Sequence, residues 1–174
     1  MFNRILVATD GSENARRAET AGNELASAVG ANLVFVHTVV DRPSETEVSG
    51  MAEVFHAIGP QPFAPLHMEN LVEQVAQATG AEHIYNHQDA LRELGERLLH
   101  RASERAGEAG VKHVETRLVY GDPADAVVEA VHHEEVDLVV VGTRGIGGLR
   151  GRLMGSVSEK VVKQAPVSTL VIKQ

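Results

Sequence analysis

Two kinds of block alternate along this chain. Residues 5–9, 33–40 and 136–141 are short apolar runs, the pattern of strands buried on both faces of a parallel sheet. Between them apolar residues recur at helical spacing. Ala15, Ala18, Gly22, Leu25, Ala26 and Val29 follow Ser12 and end at Gly30; Leu71, Val72, Val75 and Ala76 end at Gly80; Leu91, Leu94, Leu98, Ala102 and Ala109 end at Gly110. Asp122-Pro123 opens a helix with Ala124, Val127, Val128 and Val131 on its buried face, and Val157, Val161 and Val162 point inward from another that Pro166 stops. Residues 113–120 alternate, with Val114, Thr116, Leu118 and Tyr120 opposite His113, Glu115 and Arg117, as expected of a strand near a sheet edge; residues 167–172 form the last strand.

Strands alternating with helices predict a parallel sheet covered by helices on both faces through right-handed crossovers. Residues 41–88 interrupt this rhythm with a polar stretch containing Pro and Gly, and two helices after the second strand are one more than a simple crossover needs.

A chain of 174 residues with 43% apolar content suits one domain with a sizeable core. The formal charge of −8 opposes nucleic acid as a partner. The chain has no cysteine, which suits a reducing compartment. With no basic-then-apolar leader and no apolar run of membrane-spanning length, the expectation is a soluble cytoplasmic protein that does not enter membranes.

The candidate chemistry lies after the strand at 136–141. Gly142-Thr143-Arg144-Gly145 is followed by nine residues and then Gly155-Ser156, with Gly147, Gly148 and Gly151 between. Glycines let backbone amides approach an anion, and the helix beginning at Ser156 adds unpaired N–H groups and positive dipole. Arg144, Arg150 and Arg152 add charge, and Ser156-Val157-Ser158-Glu159 reads as a capping box. If the strands run 3-2-1-4-5, strands 1 and 4 are neighbours that lead away in opposite directions. Asp10 and Gly142 then meet in the crevice at their carboxyl ends. A carboxylate beside a phosphate loop suits ribose or base recognition, and can hold a divalent ion against phosphates.

These residues resemble the universal stress protein family, specifically its ATP-binding branch. The resemblance rests on residues 5–12, the Gly121-Asp122-Pro123 turn, the glycine loop and residues 155–162. It implies an adenine nucleotide alpha hydrolase-like α/β fold: a doubly wound five-stranded parallel sheet of order 3-2-1-4-5, forming one domain over 1–174 with an extended 41–88 segment. It puts the adenine near Ala8, Asp10 and the backbone of Thr38, and the ribose near Asp10 and Gly142. Gly145, Gly155, Ser156, Val157 and Ser158 would hold the phosphates, with Thr143, Arg144, Ile146, Gly147 and Gly148 lining the loop. The implied ligand is ATP, with AMP or ADP as alternatives and Mg or Mn as a companion ion. The implied partner is a second copy joined through the last strand, where Val167, Leu170, Val171 and Ile172 are apolar on both faces of an edge.

Other signals are weaker. His83 and His87 have the spacing of two metal ligands on a helix face but lack a third. His132-His133 suits a helix C-terminus, and Glu134-Glu135 reads as solvated charge. The favoured function is an ATP-binding stress-response signalling module. A slow ATP hydrolase or phosphotransferase is one alternative, at most weak because Gly155-Ser156 lacks the preceding lysine of a Walker motif. A dimeric partner-binding protein with little nucleotide dependence is the other.

Overall fold

The computed structural model describes residues 2–44, 47–48, 51, 66–145 and 154–173. Five strands, β1 (Arg4–Ala8), β2 (Asn32–Val39), β3 (Val114–Tyr120), β4 (Leu138–Gly142) and β5 (Ser168–Ile172), form one sheet of order β3-β2-β1-β4-β5. Every neighbouring pair is parallel, so the expected fold and strand order are observed. The described helices are α1 (Glu13–Val29), α2 (Leu71–Thr79, entered through a 3-10 turn at Met68–Asn70), α3 (His87–Glu108), α4 (Pro123–His133) and α5 (Ser156–Gln164).

Local signals set the helix ends. The Ser12 side chain accepts from Ala15 N–H to start α1, and Asp122 accepts from Ala124 and Asp125 N–H to start α4, with Pro123 in the first turn. Gly30 and Gly80 end α1 and α2 at φ 71° and 67°, a conformation that favours glycine.

Side-chain alternation along β1 feeds a core on each face of the sheet. Ile5, Val7, Leu33, Phe35, Leu138 and Val140 pack under Ala18 and Ala26 of α1 and Leu99, Ala102 and Ala106 of α3. Leu6, Val34, Val36, Val139 and Val141 pack on the other face under Val127, Ala130 and Val131 of α4 and Val161 of α5. Each fully buried Val, Leu or Ile contributes roughly 1.5–3 kcal/mol relative to exposure. The continuous apolar runs were therefore a sound guide to a sheet covered on both sides.

The irregular segment contains a third core. Leu66, Leu71, Val75 and Ile84 pack with Ala90, Leu91 and Leu94 of α3 and with Val39 at the end of β2. The extra helix thus rests mainly on the N-terminal half of α3 and meets the sheet at the end of β2.

Three expectations are corrected. Val162 does not point inward; it is 48% exposed, and Val161 alone on that turn is fully buried. The strand expected from Val136 begins at Leu138, because the Asp137 side chain accepts from the N–H groups of Asn3 and Arg4. Glu134 is not simply solvated: it bonds Arg4 at 2.6 Å and Arg117 at 2.5 Å, while Glu115 bonds the same two arginines at 2.7 and 2.6 Å. This four-membered cluster ties the start of β1 to β3 and to the end of α4.

The cluster makes stability depend on acidity. Hydrogen bonds from Arg4 and then Arg117 pull the Glu115 pKa down to about 2. Burial alone would raise that of Glu134, but Arg117 and Arg4 outweigh it and the net shift is downward. Both folded-state values lie below the ordinary one, so the contribution is fully present above pH ~4.5 and is lost as pH falls towards ~2. Glu134→Gln should lower stability near neutrality by on the order of 1 kcal/mol. Urea unfolding curves should show wild type and variant converging as acid is added.

Candidate functional site

The site arises because β1 stops short of its neighbours. Its register with β2 ends at Ala8–Val36 and with β4 at Val7–Val140, whereas β2 runs on to Val39 and β4 to Gly142. The last bond to β2 is Thr9 N–H to Val36 C=O at 2.9 Å. Along a parallel strand, successive residues turn their main-chain groups to opposite neighbours. Asn32 and Val36 bond towards β1, while Leu33 and Val39 bond towards β3. Thr38 therefore turns both N–H and C=O towards β1, above its last rung. A notch opens there, with Ala8 at the base, Thr38 on one side and Gly142 on the other.

Asp10 follows immediately, in the turn leading to α1. Its Oδ1 accepts from Ser12 N–H at 3.0 Å, and a Cβ on Gly145 would land on its Oδ2. Asp10 and the glycine loop thus meet, as the strand order requires. Asp10 is not the cap of α1, since Ser12 takes that role. A Cβ on Gly142 would come within 2.8 Å of the Asn14 carbonyl oxygen, so β4 approaches the first turn of α1 only because that position is glycine. At Gly155 φ is −82° and a Cβ would meet no atom of the described residues nearer than 3.4 Å. Among the described residues neither backbone nor packing demands glycine there.

The base of the loop is closed by one carbonyl. Thr143 C=O accepts from Gly155 N–H at 2.7 Å and from Ser158 Oγ at 3.0 Å, while Thr143 N–H bonds Ile172 C=O at 2.9 Å. Thr143 and Ser158 are buried, so their side chains belong to the stem. The expected capping box is corrected: Gly155 is the N-cap, without a side-chain cap bond, and Ser156 is the exposed first helical residue. Its N–H and those of Val157 and Ser158 lack intrahelical acceptors by position. Arg144 is half-buried at the loop's start. Ile146, Gly147, Gly148, Arg150, Gly151 and Arg152 lie outside the described residues.

Sequence reasoning missed the groups behind Asp10. Thr9 Oγ1 donates to Glu19 Oε1 at 2.5 Å and accepts from Gly11 N–H at 3.2 Å; the other Glu19 oxygen accepts from Arg105 of α3 at 2.5 Å. His37 Nδ1 lies 2.9 Å from Thr9 C=O, an acceptor only, so Nδ1 carries the proton. Burial lowers the His37 pKa against the opposing pull of that bond and of the Asp10 charge. The ring lines a small apolar pocket with Asp10, Val40, Leu91, Leu94 and Leu98. Gly95 of α3 gives it room, since a Cβ there would sit 2.7 Å from His37 Cδ2. The signal for Glu19 was a carboxylate amid Ala15, Ala18, Gly22 and Ala26 on a buried helix face.

The two histidines considered as a metal pair share no helix: α3 begins at His87, and His83 lies 3.4 Å from Glu93. Among the described residues no group of three or more His, Asp or Glu side chains could hold a metal ion. No described helix is long and apolar enough to cross a membrane.

The strand order, with a glycine loop at the switch point, defines an adenine nucleotide alpha hydrolase-like fold. The model of the Universal stress protein family matches residues 1–173, and the chain belongs to that family. A universal stress protein of Thermus aquaticus is 31% identical over 173 residues, covering 99% of this chain and all of the relative. A universal stress protein solved in complex with cAMP is 26% identical, with a TM-score of 0.62 over 98% of this chain and 97% of that one. A family member from Arabidopsis thaliana, solved with AMP bound, shares the fold at 21% identity and TM-score 0.59, covering 99% of this chain and 92% of that one.

The glycines separate packing from access. Gly142→Ala should destabilise by roughly 1–3 kcal/mol, since overlap with Asn14 backbone forces β4 or α1 to move. Gly155→Ala should stay within about 0.5 kcal/mol of wild type, because the weaker helix cap is offset by a less flexible unfolded chain. Thermal melts of the two variants give the comparison.

Proposed function

We propose that this universal stress protein binds ATP in the notch and acts as a nucleotide-dependent signalling module in the stress response. The observation that carries the reading is the pairing of the outward-turned main chain of Thr38 with the Gly142–Gly145 loop across the shortened end of β1. Adenine offers an acceptor at N1 beside a donor at N6, complementary to the Thr38 N–H and C=O. Guanine presents the reverse, a donor at N1 and an acceptor at O6, so the same pose sets like against like. Asp10 accepts from ribose hydroxyls beside Gly142. Main-chain N–H groups of Gly145, Ser156, Val157 and Ser158 hold the phosphates, beside Gly155, whose own N–H is taken by Thr143 C=O, and Thr143 and Arg144 form the start of the loop. Gly155, unexplained by packing among the described residues, leaves room for a phosphate. A Mg or Mn ion bound with the nucleotide supplies charge neutralisation. The cAMP and AMP complexes of relatives support an adenine nucleotide as the ligand class.

Calorimetric titration should give a dissociation constant for ATP in the micromolar range, on the order of −8 kcal/mol. GTP should bind at least about tenfold more weakly. Gly155→Val should abolish ATP binding in a folded protein, and unchanged affinity in that variant would refute the assignment.

The outer strand favours a second copy as partner. In β5, Leu170 is 37% exposed and the strand lies at the sheet edge with one side unpaired among the described strands. Antiparallel pairing with its own copy satisfies those backbone groups. Sedimentation should report a dimer, and Leu170→Lys should shift it to monomer.

A further inference from the structure

We infer that Glu19, anchored by Arg105, is a positioning residue that sets the Asp10 carboxylate through Thr9. The inference rests on the nucleotide reading of the notch, and it concerns groups on three separate elements.

Thr9 is the last residue before Asp10, and its polar groups are all engaged. Its N–H bonds Val36, its carbonyl takes the His37 ring at 2.9 Å, and its hydroxyl donates to Glu19 at 2.5 Å. The same hydroxyl accepts from Gly11 N–H at 3.2 Å, on the far side of Asp10. A single side-chain oxygen therefore bridges Asp10 from residue 9 to residue 11 and fixes the peptide planes that aim the carboxylate. Ser12 N–H then holds Oδ1 at 3.0 Å, leaving Oδ2 against Gly145.

That hydroxyl points its proton at Glu19 because Glu19 is a carboxylate, which can only accept. With the proton committed, a lone pair is free for Gly11. The Glu19 side chain is 2% exposed and its second oxygen is held by Arg105, itself 34% exposed. A buried ion pair of this kind is a poor means of stabilising a fold, since apolar residues of similar volume commonly serve as well or better. Its specific effect here is directional: it orients one hydroxyl and hence one turn. Because Arg105 belongs to α3, the turn at the notch is registered against the helix that carries the third core.

The test has one readout without ligand and one with it. In the nucleotide-free full chain, amide hydrogen exchange at Gly11 and Ser12 should accelerate about tenfold in Thr9→Val and in Glu19→Gln, while β1 amides keep their protection; tenfold corresponds to one ordinary hydrogen bond. Thr9→Ser, which keeps the hydroxyl, should restore wild-type exchange. ATP affinity should fall about tenfold in Thr9→Val and Glu19→Gln, but by less than about twofold when either is added to Asp10→Ala, as expected of residues acting through Asp10. Unchanged exchange at Gly11 and Ser12 in folded variants would overturn the inference. So would an undiminished affinity loss in the Asp10→Ala background. Absence of ATP binding by the wild type, with the exchange changes present, would reject the nucleotide reading and leave the setting of the turn in place.

Discussion

The arrangement depends on a difference in strand length. Where β1 gives out, β2 and β4 continue, and the main-chain groups that β1 would have paired are left facing a gap. Unpaired peptide groups at a strand end are costly when buried, so such a gap persists only where water or a ligand can enter. The turn from β1 into α1 fills part of the space with Asp10, and the β4 loop approaches from the other side until Gly145 meets that carboxylate. Acid, strand edge and glycine loop come together through this mismatch in reach.

Much of the fold was legible because parallel strands buried on both faces are written as unbroken apolar runs, and because Ser12, Asp122-Pro123 and Gly30 are local signals read from neighbouring residues. Of the glycine loop, the approach of Gly145 to Asp10 followed from the strand order, which makes β1 and β4 neighbours. What escaped were pairings distant in sequence. Glu19 meets Thr9 and Arg105, and Glu134 meets Arg4 and Arg117; Glu134 looks like ordinary turn chemistry, and the buried helix face that carries Glu19 does not name its partners until the fold brings them together. Ser156 was misplaced as a cap because Ser-x-x-Glu is the capping-box pattern, whereas Glu159 N–H bonds the Gly155 carbonyl and the helix starts one residue earlier than that pattern implies.

The glycines illustrate how one residue type serves different ends. Gly142 is required by the backbone of α1 and Gly145 leaves room for the Asp10 carboxylate, whereas Gly155 has ordinary space around it among the described residues. A family motif that groups all three therefore combines scaffold with access. The third core adds a further division of labour, since α2 covers α3 and the end of β2 while the two sheet cores close without it.

Thr143 joins the outer strand, the loop and α5 through its peptide groups: its N–H faces Ile172 and its carbonyl receives Gly155 and Ser158. A rivet made of main chain does not depend on the hydroxyl, although the buried position limits replacements to side chains of similar size. Mutational drift at this position can therefore alter its hydroxyl without loosening the joint, and only the contribution of Ser158 is exposed to change in the genetic text.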